Sequence, residues 1–251
     1  MVFITGDCHS DFRRFNTKNF PEQKEMTKDD YVIICGDFGG VWNKDEESRQ
    51  EKYNMDWLEN KPFTTLFVDG NHENFDRLNS YQVELWHGGN VHKVRNSVIH
   101  LMRGQVFDID GAKFFTFGGA SSHDIDGGIL DPSDPYFRDK QKRLKRKWTP
   151  YRINGVSWWK EELASDEEMI EGRENLMVQN NNVDYIITHC AASSTQAIVS
   201  SSSYSPDKQT KYLEWVKQNV NYKKWYFGHY HKNIQCSDKE ILIYTRIERI
   251  I

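Results

Sequence analysis

Five short apolar runs in this sequence each end in a cluster of glycine, aspartate, asparagine or histidine. The runs and their clusters are "MVFIT" with "GDCHSD", "YVIIC" with "GDFGG", "TTLFV" with "DGNHE", "VDYIIT" with "HCAA", and "KKWYF" with "GHYH". Short runs rich in Val, Ile, Phe and Tyr are typical of strands buried on both faces of a sheet. The stretches "KDEESRQEKYNMDWLEN" and "DKQTKYLEWVKQNV" have the apolar spacing of helices. This alternation predicts an α/β fold.

Each polar cluster follows its run at the end where α/β sheets bind ligands, the carboxyl ends of the strands. We therefore expect five loops to converge on one place, although they are far apart in the chain. Five of the nine histidines lie in these loops. The residues of ligand type that would meet there are Asp7, His9, Asp37, Asn71, His72, His189, His229 and His231.

Imidazole and carboxylate groups together suit ions such as Zn, Fe and Mn better than soft copper. Eight such residues are too many for one tetrahedral ion, but they suit two ions that share a bridging carboxylate. In this interpretation Asn71 offers its amide oxygen, and His72 lies beside the metal without having to bind it. Each motif alone also has a local explanation, such as a Gly-Asp turn or a strand-end histidine. All five in one chain favour the metal site.

Length and charge exclude several classes of protein. A chain of 251 residues suits one large domain, so we predict a single domain over residues 1–251. The net charge of −4 provides no general attraction to nucleic acid or to an anionic membrane. No apolar stretch approaches the roughly 20 residues that span a bilayer, so no membrane partner is expected.

The N-terminus and the cysteines predict the compartment. "MVFITGD" has neither the basic region nor the cleavage site of a signal peptide. The cysteines, without C-x-x-C spacing, are Cys8, Cys35, Cys190 and Cys236. Reduced thiols and a cytoplasmic location are the expectation.

In order, the motifs D-x-H, G-D, G-N-H-E, a strand-end histidine and G-H-x-H span positions 6–231. In all five motifs the chain resembles the calcineurin-like metallophosphoesterase superfamily. The resemblance is strongest to its bacterial and phage members. The resemblance implies a four-layer α/β/β/α sandwich, in which helices flank two mixed β-sheets. It also implies a dinuclear centre of divalent ions, which would be Mn, Fe, Zn or Mg.

The resemblance further implies a role for each ligand-type residue. One ion would be held by Asp7, His9 and His231. The other would be held by Asn71, His189 and His229. Asp37 would bridge the two ions, and His72 would protonate the leaving oxygen of the substrate. Glu73 either orients His72 or is a solvated loop residue.

Two positions depart from the pattern of the protein Ser/Thr phosphatases in this superfamily. The sequence Gly39-Gly40-Val41-Trp42 stands where those enzymes continue to Asp-Arg-Gly, so their phosphate-gripping arginine is missing there. Ser10 follows His9 where they usually have glycine. Both differences argue against a protein phosphatase.

The family motifs do not cover a segment at about 119–160, which we interpret as a substrate-setting insertion. His123 and Asp124 lie in its loop-like first part and either face the metals or cap a loop. Six of the eight residues 140–147 are basic, and they form either a solvated helix face or a site for a phosphate-rich partner. The acidic stretch "KEELASDEEMIEGRE" that follows favours the solvated face. Trp158 and Trp159 either pack in the core or stack on a base.

The leading hypothesis is a dinuclear metal-dependent phosphoesterase that acts on a small or nucleotide-like mono- or diester. A nuclease or phosphodiesterase acting on DNA or RNA is the alternative, and the negative net charge disfavours it. A non-catalytic interaction scaffold of the same fold is a third hypothesis. It is disfavoured because His72 and all seven ligand-type residues are present. Nothing in the sequence indicates an oligomeric state.

Overall fold

All five apolar runs form strands in the computed structural model, which describes residues 1–251. The strands, in chain order, are β1 (Val2–Thr5), β2 (Tyr31–Cys35), β3 (Thr64–Val68), β4 (Val83–Trp86), β5 (Gly89–Arg95), β6 (Val98–Leu101), β7 (Gln105–Ile109), β8 (Ala112–Phe117), β9 (Ile129–Leu130), β10 (Arg152–Ile153), β11 (Tyr185–Thr188), β12 (Lys224–Phe227), β13 (Ile234–Gln235), β14 (Glu240–Leu242) and β15 (Glu248–Arg249). The α-helices are α1 (Arg49–Glu59), α2 (Phe75–Leu78), α3 (Phe137–Arg146), α4 (Asp166–Val178), α5 (Ser193–Val199) and α6 (Lys208–Asn219).

The strands form two large mixed sheets. The first has seven strands in the order β15-β1-β2-β3-β6-β5-β4, and the second has six in the order β13-β14-β12-β11-β8-β7. In the first sheet β1, β2, β3 and β6 run parallel, with Ile33 paired to both Ile4 and Leu66. In the second, β8, β11, β12 and β14 run parallel. Antiparallel strands close the outer edges of both sheets.

Three buried clusters hold the layers together. Between the sheets, Ile4 and Leu66 of the first sheet share a cluster with Phe114 and Ile187 of the second. The opposite face of the first sheet packs on α1 and on Phe12, Phe15 and Phe20. The opposite face of the second sheet packs on α4, α5 and α6. The strands therefore alternate between cores; Phe3 faces outward between two inward neighbours. This is the predicted four-layer α/β/β/α sandwich, and the fold prediction is confirmed.

The helices begin where their sequences provide N-terminal caps. Ser48 and Glu51 form a reciprocal capping box at α1, and Asp207 with Thr210 forms another at α6. Each box satisfies backbone N–H groups that the first helical turn leaves unpaired. Both predicted amphipathic helices are present, although α1 starts only at Arg49 and Val220 is the extended cap after α6.

The segment at 119–160 contains a two-stranded parallel sheet of β9 and β10 with α3 between them in the chain. In α3, Leu144 is buried and the basic residues 140, 142, 143, 145 and 146 are exposed, as is Lys147 after its end. This exposure agrees both with a solvated helix face and with a site for a phosphate-rich partner. Trp159 is buried beside Trp42, which agrees with core packing.

None of the helices combines the length and the apolar composition that crossing a bilayer would need.

The packing between the sheets predicts a clear contrast between two leucines. Leu66 lies in the core between the sheets and is 0% exposed, whereas Leu85 on β4 is 78% exposed. Leu66→Ala should lower the free energy of unfolding by about 2–5 kcal/mol because it leaves a cavity. Leu85→Ala, the same change at the surface, should alter it by less than about 0.5 kcal/mol. Urea unfolding followed by circular dichroism measures both, and similar values for the two variants would contradict the described core.

Candidate metal centre

The loops that follow β1, β2 and β3 in the first sheet meet those that follow β11 and β12 in the second. Their backbones approach so closely that the glycines of the motifs are sterically required. A Cβ on Gly36 would lie 2.1 Å from Nδ1 of His189, and one on Gly228 would lie 2.1 Å from Oδ1 of Asp7. Gly36 and Gly228 therefore make room for ligand-type side chains from different loops.

One group of side chains consists of Asp7, His9, Asp37 and His231, whose potential ligand atoms all lie within 4.8 Å of one another. Nε2 of His231 is 3.1 Å from Oδ2 of Asp7 and 3.0 Å from Nε2 of His9. Nε2 of His9 is 3.5 Å from Oδ2 of Asp37. Both carboxylates are buried while both imidazoles reach solvent. This donor set fits a divalent ion such as Mn, Fe or Zn.

A second group surrounds the other oxygen of Asp37. Nδ1 of His189 donates to the carbonyl oxygen of Cys35 over 2.8 Å, which directs Nε2 toward the site. That Nε2 is 3.3 Å from Oδ1 of Asp37 and 3.3 Å from Oδ1 of Asn71. Asn71 donates its amide N–H to Oγ of Ser122, so its oxygen is the atom that faces His189. Nitrogen and oxygen acceptors thus converge on a point where a cation would satisfy them.

His229 completes this side of the site. Its ring centre lies 5.0 Å from that of His189, and its backbone N–H donates to Oδ1 of Asp7 over 3.0 Å. The other six residues predicted to bind metal therefore lie around Asp37 in two groups. One group contacts Oδ2 of Asp37 and the other contacts Oδ1.

The electrostatics of the centre favour positive charge beside Asp37. Burial raises the pKa of Asp37, but the charge of His189 and its hydrogen bond outweigh burial and hold that pKa far below its usual value. Burial lowers the pKa of His189, but the Asp37 carboxylate outweighs it and raises the pKa to about 9. Burial also lowers the pKa of His229 well below its usual value. A neutral His229 can donate its lone pair, and the extra proton on His189 occupies a place that a metal ion can take.

The backbone is strained at this centre. His9, Asp37, His229 and His231 all have positive φ angles, of 47°, 44°, 71° and 50°. Such conformations are uncommon outside glycine and cost of order 1–3 kcal/mol each. Four of the eight predicted site residues therefore adopt conformations that the surrounding structure has to enforce.

His72 lies beside the ligand groups rather than within them. Its backbone N–H donates to Oδ1 of Asp37 over 2.8 Å, and its ring centre is 5.0 Å from that of His9. Burial lowers the pKa of His72, although the Asp37 charge opposes the effect. Nη2 of Arg152 lies 3.3 Å from Nε2 of His72. Because a guanidinium can only donate, Nε2 accepts this hydrogen bond.

Glu73 is completely buried, so it is not a solvated loop residue. Its carboxylate accepts hydrogen bonds from the backbone N–H of Phe38 at 2.7 Å and of Gly39 at 3.3 Å. Burial raises the pKa of Glu73 well above its usual value. Its partners are therefore in the loop that carries Asp37, and the side chain that contacts the His72 ring is Arg152 instead.

His123 and Asp124 both lie at the rim of the centre. The ring of His123 stacks on Tyr204, with ring centres 3.6 Å apart, and lies 4.9 Å from the ring of His229. Asp124 forms an ion pair with Arg152 at 2.6 Å. A cavity of about 460 Å³ extends from this rim past His72, and a second one of about 270 Å³ lies on the side of His72 near Trp42.

Several residues at the site carry no recognisable signal in the sequence. Arg152 and Ser122 lie in the segment at 119–160, and Tyr204 lies in the serine-rich stretch "SSSYSP". Ser122 is itself held by Glu162, which accepts from its hydroxyl at 2.6 Å. No motif marks these positions, because each reaches the centre only through contacts between distant parts of the chain.

A buried ion pair anchors the loop after β3 on its far side. Asp69 accepts hydrogen bonds from Arg103 at 2.5 Å and 3.0 Å and lies 3.1 Å from Nε2 of His100. Burial raises the pKa of Asp69, but the Arg103 charge and the contacts with His100 outweigh it and lower the pKa. This network faces a separate cavity of about 430 Å³ and fixes the start of the segment that carries Asn71 and His72.

Comparison with known proteins agrees with this geometry. The model of the calcineurin-like phosphoesterase family matches residues 1–233. The chain is also similar to lariat debranching enzyme A of Xenopus laevis, with 29% identity over 151 residues. That alignment covers 55% of this chain but 27% of the relative, so the chain spans about a quarter of the relative's length. Since the family model extends over nearly the whole sequence and the centre has the arrangement described above, the chain belongs to the calcineurin-like phosphoesterase family.

Proposed function

We propose that this protein hydrolyses phosphoesters with two divalent metal ions bound on either side of Asp37. The observation that carries the proposal is the position of the Asp37 carboxylate, whose two oxygens face two separate groups of ligand-type side chains. Membership of the calcineurin-like phosphoesterase family supports metal-dependent phosphoester hydrolysis. His9 and His231 with Asp7 would hold one ion, and His189, His229 and Asn71 would hold the other.

Bound ions would supply Lewis-acid activation of a phosphoryl oxygen and of the attacking water. The protein's own groups then have two tasks. The ligand-type side chains hold the reacting groups together at the junction of the two sheets. Because Nε2 of His72 accepts from Arg152, a neutral ring carries its proton on Nδ1, and His72 would deliver this proton to the leaving oxygen as its bond to phosphorus breaks.

The direct test is hydrolysis by purified protein loaded with Mn, Zn, Fe or Mg. The substrates are para-nitrophenyl phosphate, its bis ester and a panel of nucleotides. Turnover that requires added metal and is abolished in Asp37→Ala supports the proposal. No turnover of any substrate with any of the metals would contradict it and would favour the non-catalytic scaffold.

Metal stoichiometry should depend on Asp37. Elemental analysis after loading with Mn and removal of free ion should approach two equivalents per chain, because ligand groups lie on both sides of this carboxylate. Asp37→Asn should lower the metal content because it removes the shared charge. His87→Ala, at an exposed histidine distant from these loops, is the control and should retain the full content. One equivalent in both the parent protein and Asp37→Asn would refute the bridging role.

His72→Ala should lower turnover by roughly 10²–10⁴-fold, because the leaving oxygen then lacks its proton donor. The loss should be smaller for para-nitrophenyl esters than for alkyl phosphoesters, because a good leaving group needs less protonation. Metal content, measured on the same samples, should remain at the parent value. A variant that loses an ion would instead place His72 among the ligands.

A nuclease is the second candidate function. The similarity to a lariat debranching enzyme is one observation in its favour. The other is the surface formed by α3 and by Lys147, the residue that follows it. There the exposed basic side chains adjoin Trp148, which is 90% exposed. Basic and aromatic side chains together are typical of surfaces that bind single-stranded nucleic acid.

Replacing the six basic residues with serine separates the two functions; these are Lys140, Lys142, Arg143, Lys145, Arg146 and Lys147. We expect unchanged metal content and unchanged hydrolysis of para-nitrophenyl substrates, because none of the six lies at the centre. If the surface binds polynucleotide, hydrolysis of oligonucleotides should fall and its dependence on salt should become less steep. Such a selective loss would favour the nuclease, and equal rates on oligonucleotides would count against it.

A further inference from the structure

Arg152 lies on β10, the second strand of the two-stranded sheet inside the segment at 119–160. It pairs with Ile129 of β9 in parallel register. The strands are tied together further by Gly127, which donates to the carbonyl oxygen of Pro150 over 2.7 Å. The helix α3 lies between β9 and β10 in the chain, and its Leu144 is buried against Gly127. The backbone of Arg152 is therefore held by ordered structure rather than by a free loop.

One carboxylate, that of Asp124, orients the guanidinium of Arg152. Nε donates to Oδ1 of Asp124 over 2.9 Å, and Nη2 lies 2.6 Å from Oδ2 of the same carboxylate. Nη2 also reaches Nε2 of His72 at 3.3 Å. Nη1 donates to no protein group. The side chain is 13% exposed, and its partner Asp124 is more than half exposed. A carboxylate open to water holds the orientation of Arg152 but neutralises it only weakly.

The chemistry of the substrate calls for such a group. A phosphoester carries charged non-bridging oxygens, and a planar guanidinium binds phosphate oxygens with geometric specificity. The loop after β2 provides no guanidinium, since Gly39-Gly40-Val41-Trp42 follows Phe38. Arg152 is the guanidinium in contact with His72, and His72 is bonded to Asp37 through its backbone.

We propose that Arg152 binds a non-bridging oxygen of the substrate's phosphoryl group beside His72, with Asp124 as the residue that positions it. The proposal rests on the proposed phosphoesterase function and adds the residue that recognises the phosphoryl group. Arg152 is then a substrate-binding residue supplied by the segment at 119–160, in contact with His72 and Asp124, which both line the same cavity.

Binding of inorganic phosphate to the Mn-loaded protein tests the proposal without turnover. Calorimetry should show affinity about 10- to 100-fold weaker in Arg152→Gln, the loss expected for one charged hydrogen bond. Arg152→Lys should recover part of the affinity because it keeps the charge but not the planar fork. Arg138→Gln, at an exposed arginine on α3, is the matched control and should bind phosphate as the parent does.

A double-mutant cycle with His72→Ala distinguishes phosphate binding from an effect on His72. If Arg152 binds the phosphoryl group, Arg152→Gln should lower kcat/KM by a similar factor for good and poor leaving groups. The loss should persist in the His72→Ala background. A loss confined to poor leaving groups and absent without His72 would show that Arg152 only positions the imidazole, and this would overturn the proposal.

The outcomes separate this proposal from the function on which it rests. Phosphate binding that depends on Arg152 in a protein without turnover would support the phosphate site and count against the esterase. Turnover with equal phosphate affinity in parent and Arg152→Gln would overturn the phosphate site and leave the esterase intact. Failure of the parent to bind phosphate would also overturn it. Equal metal content and equal thermal unfolding in Arg152→Gln, Arg152→Lys and the parent establish that a change in affinity is not a loss of structure.

Discussion

The Asp37 carboxylate is the contact on which the arrangement of the centre depends. Its side chain faces His9 on one side and His189 on the other, and it accepts the backbone N–H of His72. Its backbone carbonyl accepts the N–H groups of Cys8 and His9 at 3.0 Å and 2.8 Å. One residue at the end of β2 therefore joins the loops after β1, β3 and β11. A buried charge with this many partners is stable only while each partner stays in place.

This concentration of contacts explains the unusual backbone around the site. Position 70 has to be glycine, because a Cβ there would lie 2.0 Å from Oδ1 of Asp37. The positive φ angles of His9, Asp37, His229 and His231 have the same origin, since each loop has to turn sharply to aim its side chain at the junction. Their cost is offset by the three apolar clusters, which extend to residues beside the site such as Cys8, Phe38 and Cys190 and hold the strand ends rigid.

The segment at 119–160 contributes to the centre in a different way from the motif loops. Ser122 orients the amide of Asn71, Asp124 orients Arg152, and Arg152 contacts His72. Ser122 and Arg152 thus contact Asn71 and His72, which both line the cavity. The motif loops thus provide the ligand-type side chains, while this segment and Tyr204 shape the space that a substrate would enter.

The sequence by itself determined the α/β class, the five buried strands β1, β2, β3, β11 and β12, and the group of eight polar residues that the structure brings together. It could do so because each motif directly follows a buried strand, and parallel strands present their carboxyl ends at one edge. Glu73, by contrast, had two explanations in the sequence, and its bonds to Phe38 and Gly39 matched neither. Only the tertiary structure decided that Arg152 contacts His72, because that contact requires β9 and β10 to pair across α3 and carry a residue without a motif to the centre.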